Sequence, residues 1–390
     1  MRKLVCSLLM CSLGLVGCSK VAGGSSVKSH ALYERLVAFE QQDGWRILLC
    51  DVGQSGHLEF PKRPRGYQPP SLAPANSSQE NLKGVKIVER LFRFDAIKTG
   101  VYSNVYLYLV QDRQAVPIFG IGETLFDVGH ATFSPDGQHI ALWVRTPDDV
   151  EVNRSQLVLL DVQGHFQQKL LDASSVGEIA WSWDGTKLAF IANYRDIKDR
   201  LIPKTQPQGE GTLFVFDLAT KTRYVPIESG IRRITWSPDD REIVYEGIDD
   251  DILIYNFDTR QSRTLIAKGQ AEGFPTWSPS GEWIAYLNAE RSYYRIHPDG
   301  SGNELLLEKF KERWWDQVSW YLGRHPVSFM WGPAIWSPDS RYLLYGRTSG
   351  PTWSQTMLYV LDLESHQSVR LGEFNGWSPL GSWVRTRKEK

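Results

Sequence analysis

The chain has 390 residues, with 33 Gly, 20 Pro and 15 Trp. That is enough for one large β domain or two ordinary domains, and the Gly, Pro and aromatic balance points to many short strands and turns. Net charge is −1 at pH 7, which excludes the concentrated basic surface of a bulk nucleic-acid binder.

The N-terminus is an address. Arg2 and Lys3 precede the apolar run Leu4–Val16, the layout of a secretory signal, and the run is too short for a comfortable membrane span. It ends in Leu15-Val16-Gly17-Cys18, which resembles the lipobox of bacterial lipoproteins. The resemblance implies a signal peptide over 1–17 and a mature chain starting at Cys18, whose thiol carries lipid. Ser19 follows; in Gram-negative relatives a residue other than Asp there implies the outer membrane, facing the periplasm. The expected location is thus the bacterial cell envelope, reached through the lipid. With Cys6 and Cys11 in the signal and Cys18 lipidated, only Cys50 remains, so no intramolecular disulfide is expected. Cys50 lies in the apolar run Ile47-Leu48-Leu49-Cys50 and reads as a buried, inert thiol.

Residues 18–30, with "SKVAGGSSVKSH" after the Cys, read as a flexible Gly/Ser tether, and 31–390 as a single domain. "ALYERLVAFEQ" is helix or strand; periodicity does not decide it. "RILLCD" and "YLYLVQD" are apolar strands ending at Asp51 and Asp112, and the Pro-rich stretch 61–84 between them reads as an irregular loop.

From residue 131 onward a repeat appears. "ATFSPDGQHIALWV", "IAWSWDGTKLAFIA", "ITWSPDDREIVYEG", "TWSPSGEWIAYLN", "AIWSPDSRYLLYGR" and "NGWSPLGSWVRTR" are anchored at Phe133, Trp181, Trp236, Trp277, Trp336 and Trp377. The spacing of about 40–60 residues is that of solenoids or propellers. Each copy reads as strand, turn, strand: Pro presets φ for the first corner, and Asp and Gly suit the others. Five second strands carry three consecutive apolar residues, such as Ile243-Val244-Tyr245, as expected where both faces of a strand are covered. Downstream of each, an apolar strand ends in Asp161, Asp217, Asp258, Asp299 or Asp362, and Asp there can bond the turn amides.

These motifs resemble the propeller repeats of TolB and its relatives, from about Gly129 to Trp383. The resemblance implies an all-β fold: a β-propeller of four-stranded antiparallel blades. Seven third-strand markers against six anchored hairpins favour seven blades, closed by pairing the N- and C-terminal strands. The hairpin at Trp377 would join residues near 45–60, and residues 84–121 would form a degenerate second blade. Six blades, as in TolB, is the alternative. No stretch is left for the α/β domain that precedes the TolB propeller.

Function is expected on one face. In such blades the 1–2 and 3–4 turns share a face, and here they are short. The opposite face holds the insertions Arg145–Ser155, Asn193–Gly211, Lys309–Trp331 and Arg347–Gln355, and long loops on a rigid scaffold are where function concentrates. Lys309–Trp331 is the most pointed. Its stretch 309–321 could fold as an amphipathic helix plugging the propeller mouth, or its aromatics could form a recognition surface. The candidate contacts are Trp314, Trp315, Trp320, Tyr321, Arg324, His325 and Trp331. Asp249-Asp250-Asp251 lacks the spaced oxygen ligands of a calcium loop and reads as a solvated turn. Nucleophile-elbow, zincin, Walker and dinucleotide motifs are missing, and the eight His show no zinc spacing, so no metal, cofactor or catalytic residue is assigned. The leading reading is a non-enzymatic scaffold for a protein or an envelope polysaccharide. The alternative is a carbohydrate-cleaving lyase or glycosidase, and a peptidase propeller ranks last.

Overall fold

The computed structural model describes residues 22–43, 45–54, 101–109, 114–119, 127–136, 138–145, 155–161, 166–173, 176–192, 211–267, 269–308, 329–330, 332–349, 355–375 and 380–385. One helix, α1 (Ala22–Asp43), precedes the strands. The first three are β1 (Trp45–Gln54), β2 (Val101–Leu109) and β3 (Gln114–Phe119). Then come β4 (Asp127–Phe133), β5 (His139–Arg145), β6 (Ser155–Asp161) and β7 (Phe166–Ala173). A longer series follows: β8 (Val176–Trp181), β9 (Lys187–Ala192), β10 (Gly211–Asp217), β11 (Thr222–Trp236), β12 (Glu242–Gly247), β13 (Ile252–Asn256) and β14 (Gln261–Ile266). Next are β15 (Ala271–Trp277), β16 (Ile284–Asn288), β17 (Tyr293–Ile296) and β18 (Glu304–Leu307). The last are β19 (Phe329–Met330), β20 (Ile335–Trp336), β21 (Tyr342–Ser349), β22 (Gln355–Asp362), β23 (Gln367–Asn375) and β24 (Leu380–Arg385).

Every pairing among the described strands is antiparallel, and the described residues are all-β apart from α1. The sheets are β24-β1-β2-β3, β4 to β7, β8 to β14, β15 to β18, and β19/β20-β21-β22-β23. The seven-stranded sheet arises because the 15-residue β11 serves twice. Its first half pairs with β10 (Val215↔Tyr224) and its second with β12 (Ile234↔Tyr245). The first strands of successive units touch one another: β4 meets β8, β8 meets β11, β11 meets β15, β15 meets β20, β20 meets β24, and β24 meets β4.

The sequence expectations are corrected in three places. Residues 45–54 and 101–119 form one sheet rather than two, because β1 pairs with β2 (Leu49↔Tyr106) as well as with β24 (Leu49↔Gly381). The helix begins at Ala22, inside the stretch read as a tether, and it resolves "ALYERLVAFEQ" as helical. Leu32 and Leu36, one helical turn apart, are buried against Tyr342, Leu344, Leu358, Val360, Val369 and Leu371. The strand-end marker also shifts. Register places Asp161, Asp217, Asn256, His297 and Asp362 at equivalent positions: Asp161 lies opposite His139, Asp217 opposite Lys187, Asn256 opposite Glu242 and Asp362 opposite Tyr342, while His297 follows the Ile284↔Ile296 pair. Thus Asn256, not Asp258, accepts the turn amides of Asp258 and Thr259, and His297 stacks on Trp283 at 3.7 Å. Asp299 caps Ser301 within the turn beyond. The side chain of Cys50 lies outside the described residues.

The hairpin motif is architecture. Its buried Ser accepts the backbone N–H five residues on and donates to the residue two on. Ser182 does so with Lys187 (2.8 Å) and Asp184 (2.7 Å), and Ser237 with Glu242 (2.9 Å) and Asp239 (2.6 Å). The Trp ties neighbours: Trp181 donates to the carbonyl of Thr132, Trp236 to that of Ala180 and Trp336 to that of Thr276. Trp277 departs from the pattern, donating to Gly281 in its own turn, yet its ring packs between units against Val244, Ile254 and Ile266.

Candidate functional site

Cys18 and Trp314, Trp315, Trp320, Tyr321, Arg324, His325 and Trp331 all lie outside the described residues, so the sequence-derived contacts are neither assembled nor dispersed here. What the described residues do assemble is a charged cluster along the first strands, at the end away from the hairpin turns. It lies there because each first strand starts at the end opposite its hairpin turn. The cluster uses the position three before the anchor Trp: Glu178 on β8, Arg233 on β11 and Phe274 on β15. Glu246, near the end of β12, completes it.

Arg233 is the hub. Its guanidinium meets Glu178 at 2.8 Å and Glu246 at 3.4 Å, and it lies over the Phe274 ring at 3.8 Å. The carboxylates are held by backbone as well. Glu178 accepts the Ile234 N–H at 2.9 Å and Glu246 the Phe274 N–H at 3.1 Å. Outward, Arg232 bonds Asp250 at 2.6 Å and the Ile248 carbonyl at 2.9 Å. Asp250 is therefore an ion-pair partner rather than only a solvated turn residue. Arg232 also approaches Glu246 at 3.7 Å.

Burial grades the cluster. Glu246 is 4% exposed, and desolvation pushes its carboxyl above the ordinary Glu range despite Arg233 and the Phe274 amide. The side chains of Glu178 and Arg233 are part-buried, and those of Arg232 and Asp250 open to solvent.

The backbone beneath is committed to this geometry. Phe274 has φ 58, a left-handed conformation that costs a non-glycine residue about 1–3 kcal/mol and persists only where surroundings hold it. Gly273, with φ 112, is required: a Cβ there would collide with the Glu246 carboxylate. The register of β15 on β16 shifts across this point, which turns the Phe274 amide to Glu246.

Chemically, two carboxylates converge on one guanidinium. Each is already occupied, so the arrangement is a rigid polar clamp rather than a poised acid–base pair. Among the described residues no group of three or more His, Cys, Asp or Glu is placed to hold a metal ion. No described helix is long and apolar enough to cross a membrane. Sequence reading passed over Glu178, Arg233 and Glu246. One signal was available: with the repeats aligned on their Trp, the third position before it carries Glu in one copy and Arg in the next.

No family model and no curated protein matches the sequence. Among solved structures, TolB from Acinetobacter baumannii is similar at 14% identity and TM-score 0.56, over 92% of this chain and 71% of that one. A TolB candidate from Agrobacterium tumefaciens is 16% identical at TM-score 0.48, over 69% and 87% of the two chains. An oligogalacturonate lyase in complex with manganese is 17% identical at TM-score 0.44, over 69% and 70%. The likeness to the Acinetobacter baumannii TolB is one of fold. The repeated antiparallel units joined through their inner strands define a β-propeller. Its fold is that of the TolB propellers.

Proposed function

We propose that the protein is a lipid-anchored, extracytoplasmic β-propeller that binds a protein partner through its elaborated face. The observation that carries this reading is the Glu178–Arg233–Glu246–Phe274 clamp, which locks three successive first strands together at the end away from the hairpin turns. A rigid rim from which long insertions spring is what a recognition surface requires, because preorganised loops lose less entropy on binding. The insertion Lys309–Trp331 supplies the aromatic and Arg residue types that dominate binding hot spots.

The ring is read as six units rather than seven. The cycle of first strands β4, β8, β11, β15, β20, β24 and back to β4 supports this count. The pairing of β24 with β1 supports closure through the two ends of the chain. A carbohydrate-cleaving activity is the weaker reading, since Glu178 and Glu246 converge but are both engaged by Arg233. The anchor rests on the resemblance of Leu15–Cys18 to a lipobox, with signal peptide 1–17 and a periplasm-facing location in a Gram-negative host.

The test is partner capture from the cell envelope with Trp315 and Trp320 both replaced by Ala. Loss of a specific protein partner is expected, and unchanged recovery would sink the reading. Cys18→Ser should move the protein out of the membrane fraction; unaltered fractionation refutes the anchor.

A further inference from the structure

The placement of α1 points to an interaction surface of its own. Alternate residues of β21 and β22 face opposite ways. Leu343, Tyr345 and Leu361 pack toward the β15–β18 sheet. Tyr342, Leu344, Leu358 and Val360 face the other way, where α1 covers them. So α1 sits on the flank of the last sheet, next to β1.

Its direction follows from two contacts. The Phe39 ring meets Tyr342 edge-on at 5.9 Å, on β21. Arg35, one turn earlier, bonds Asp362 at 2.6 Å, on β22. Tyr342 and Asp362 are register partners on adjacent strands. One helical turn rises about 5.4 Å, close to the roughly 4.8 Å between strands, so α1 steps outward one strand per turn. Its contacts with the sheet concentrate on β23, the outer edge. Ala22–Asp43 is 22 residues, about 33 Å of helix, so the turns before Leu32 run on past that edge.

We propose that α1 is a rigid strut that carries the N-terminus out over the β23 rim. A membrane attached there then meets the propeller edge-on, with lipid beside β23 and both loop faces open to the periplasm. This rests on the lipid-anchor reading for its membrane. Cys18 is four residues before Ala22, a reach of at most about 14 Å, so the helix rather than a slack tether sets the standoff.

The experiment measures energy transfer to acceptor lipids from single labels on the full-length, lipidated protein, in phosphatidylethanolamine/phosphatidylglycerol vesicles. Labels replace Gln367 (near rim), Glu228 (far rim), Ala219 (hairpin-turn face) or Ala289 (elaborated face), in a Cys50→Ser background. The expected order of transfer is Gln367 first, Ala289 next, and Ala219 and Glu228, both on the β8–β14 sheet far from β23, last. Strongest transfer from Ala219 or Ala289, or no ordering, overturns the strut. A second form, with hexahistidine fused directly before Ala22 on nickel-chelating vesicles, should give the same order. If it does while the native chain stays off phospholipid, the anchor reading fails and the strut stands. If its order is lost, the strut fails whatever Cys18 carries. Replacing Leu32 and Leu36 by Ala should flatten the order while leaving vesicle binding intact, and an unchanged order contradicts the role given to α1.

Discussion

The indole of Trp336 donates to the carbonyl of Thr276 at 3.1 Å, while the Thr276 hydroxyl donates to the carbonyl of Ala334 at 2.6 Å. Two neighbouring sheets are thereby stitched in both directions, at a point where Trp336 is 6% exposed. Thr235 makes the same outgoing bond to the Pro275 carbonyl one unit earlier, at 2.9 Å.

Trp336→Phe removes the donor and part of a buried indole. A loss of roughly 2 kcal/mol in urea unfolding is expected, about 1 kcal/mol for the hydrogen bond and the rest for the cavity. Thr276→Val should cost about 1 kcal/mol. The double variant should fall short of the sum, because the two bonds share one contact. Strict additivity would show that the stitches act independently.

Arg233→Ala leaves Glu178 and Glu246 without their shared cation. A destabilisation of roughly 2–3 kcal/mol is expected, since charge-assisted bonds are lost and one carboxylate is buried. Glu246→Gln keeps an acceptor for the Phe274 amide and removes the buried charge, so it should cost far less. Equal losses in the two variants would contradict the hub role of Arg233.

Glu246 also sets a slope with pH. Its folded pKa is raised by burial, so below its unfolded value it is protonated in both states and carries no charge penalty. Stability is then lost as pH rises from the ordinary Glu value of about 4.5 to its own raised value. Unfolding free energies of the wild type and Glu246→Gln should diverge over that window, with the wild type falling. Parallel curves would remove the claim.

Asp362 works with the opposite sign. Hydrogen bonds from the Glu364 amide and Ser365, with Arg35 and Arg341 nearby, outweigh desolvation and hold its carboxyl below the usual Asp range. Its contribution is present above the unfolded value of about 3.8 and lost as pH falls through the lower folded value. Amide exchange in α1 should therefore accelerate in that acid window before the rest of the chain responds. Arg35→Ala should raise exchange in α1 already at neutral pH. Protection of α1 that is indifferent to both changes would contradict the Arg35–Asp362 latch.

The repeat was legible because its chemistry is local. Ser182, Asp184 and Lys187 lie within six residues and close one turn among themselves, so the motif shows in any window that contains it. The Glu178–Arg233 pair was not legible that way, since its members are 55 residues apart and meet only when successive first strands align. The strand-end marker held at Asp161, Asp217 and Asp362, where Asp217 and Asp362 accept the Thr220 and Glu364 turn amides. It shifted in two units for a related reason: the position is defined by register, and Asn256 and His297 fill it without being Asp. β1 and β2 read as parts of separate units because 46 residues (55–100) part them in sequence, although they pair. The helix was undecided because Leu32, Leu36 and Phe39 suit either structure until the flank of β21–β23 appears as their partner.

The central claim, that the elaborated face binds the partner, is tested most directly by photocrosslinking in the native envelope. A photoreactive residue at Ala289 reports the elaborated face, and one at Ala219 the hairpin-turn face. The account expects one specific protein adduct from Ala289, lost when Trp315 and Trp320 are replaced by Ala, and none from Ala219. A specific adduct from Ala219 with none from Ala289 would contradict it.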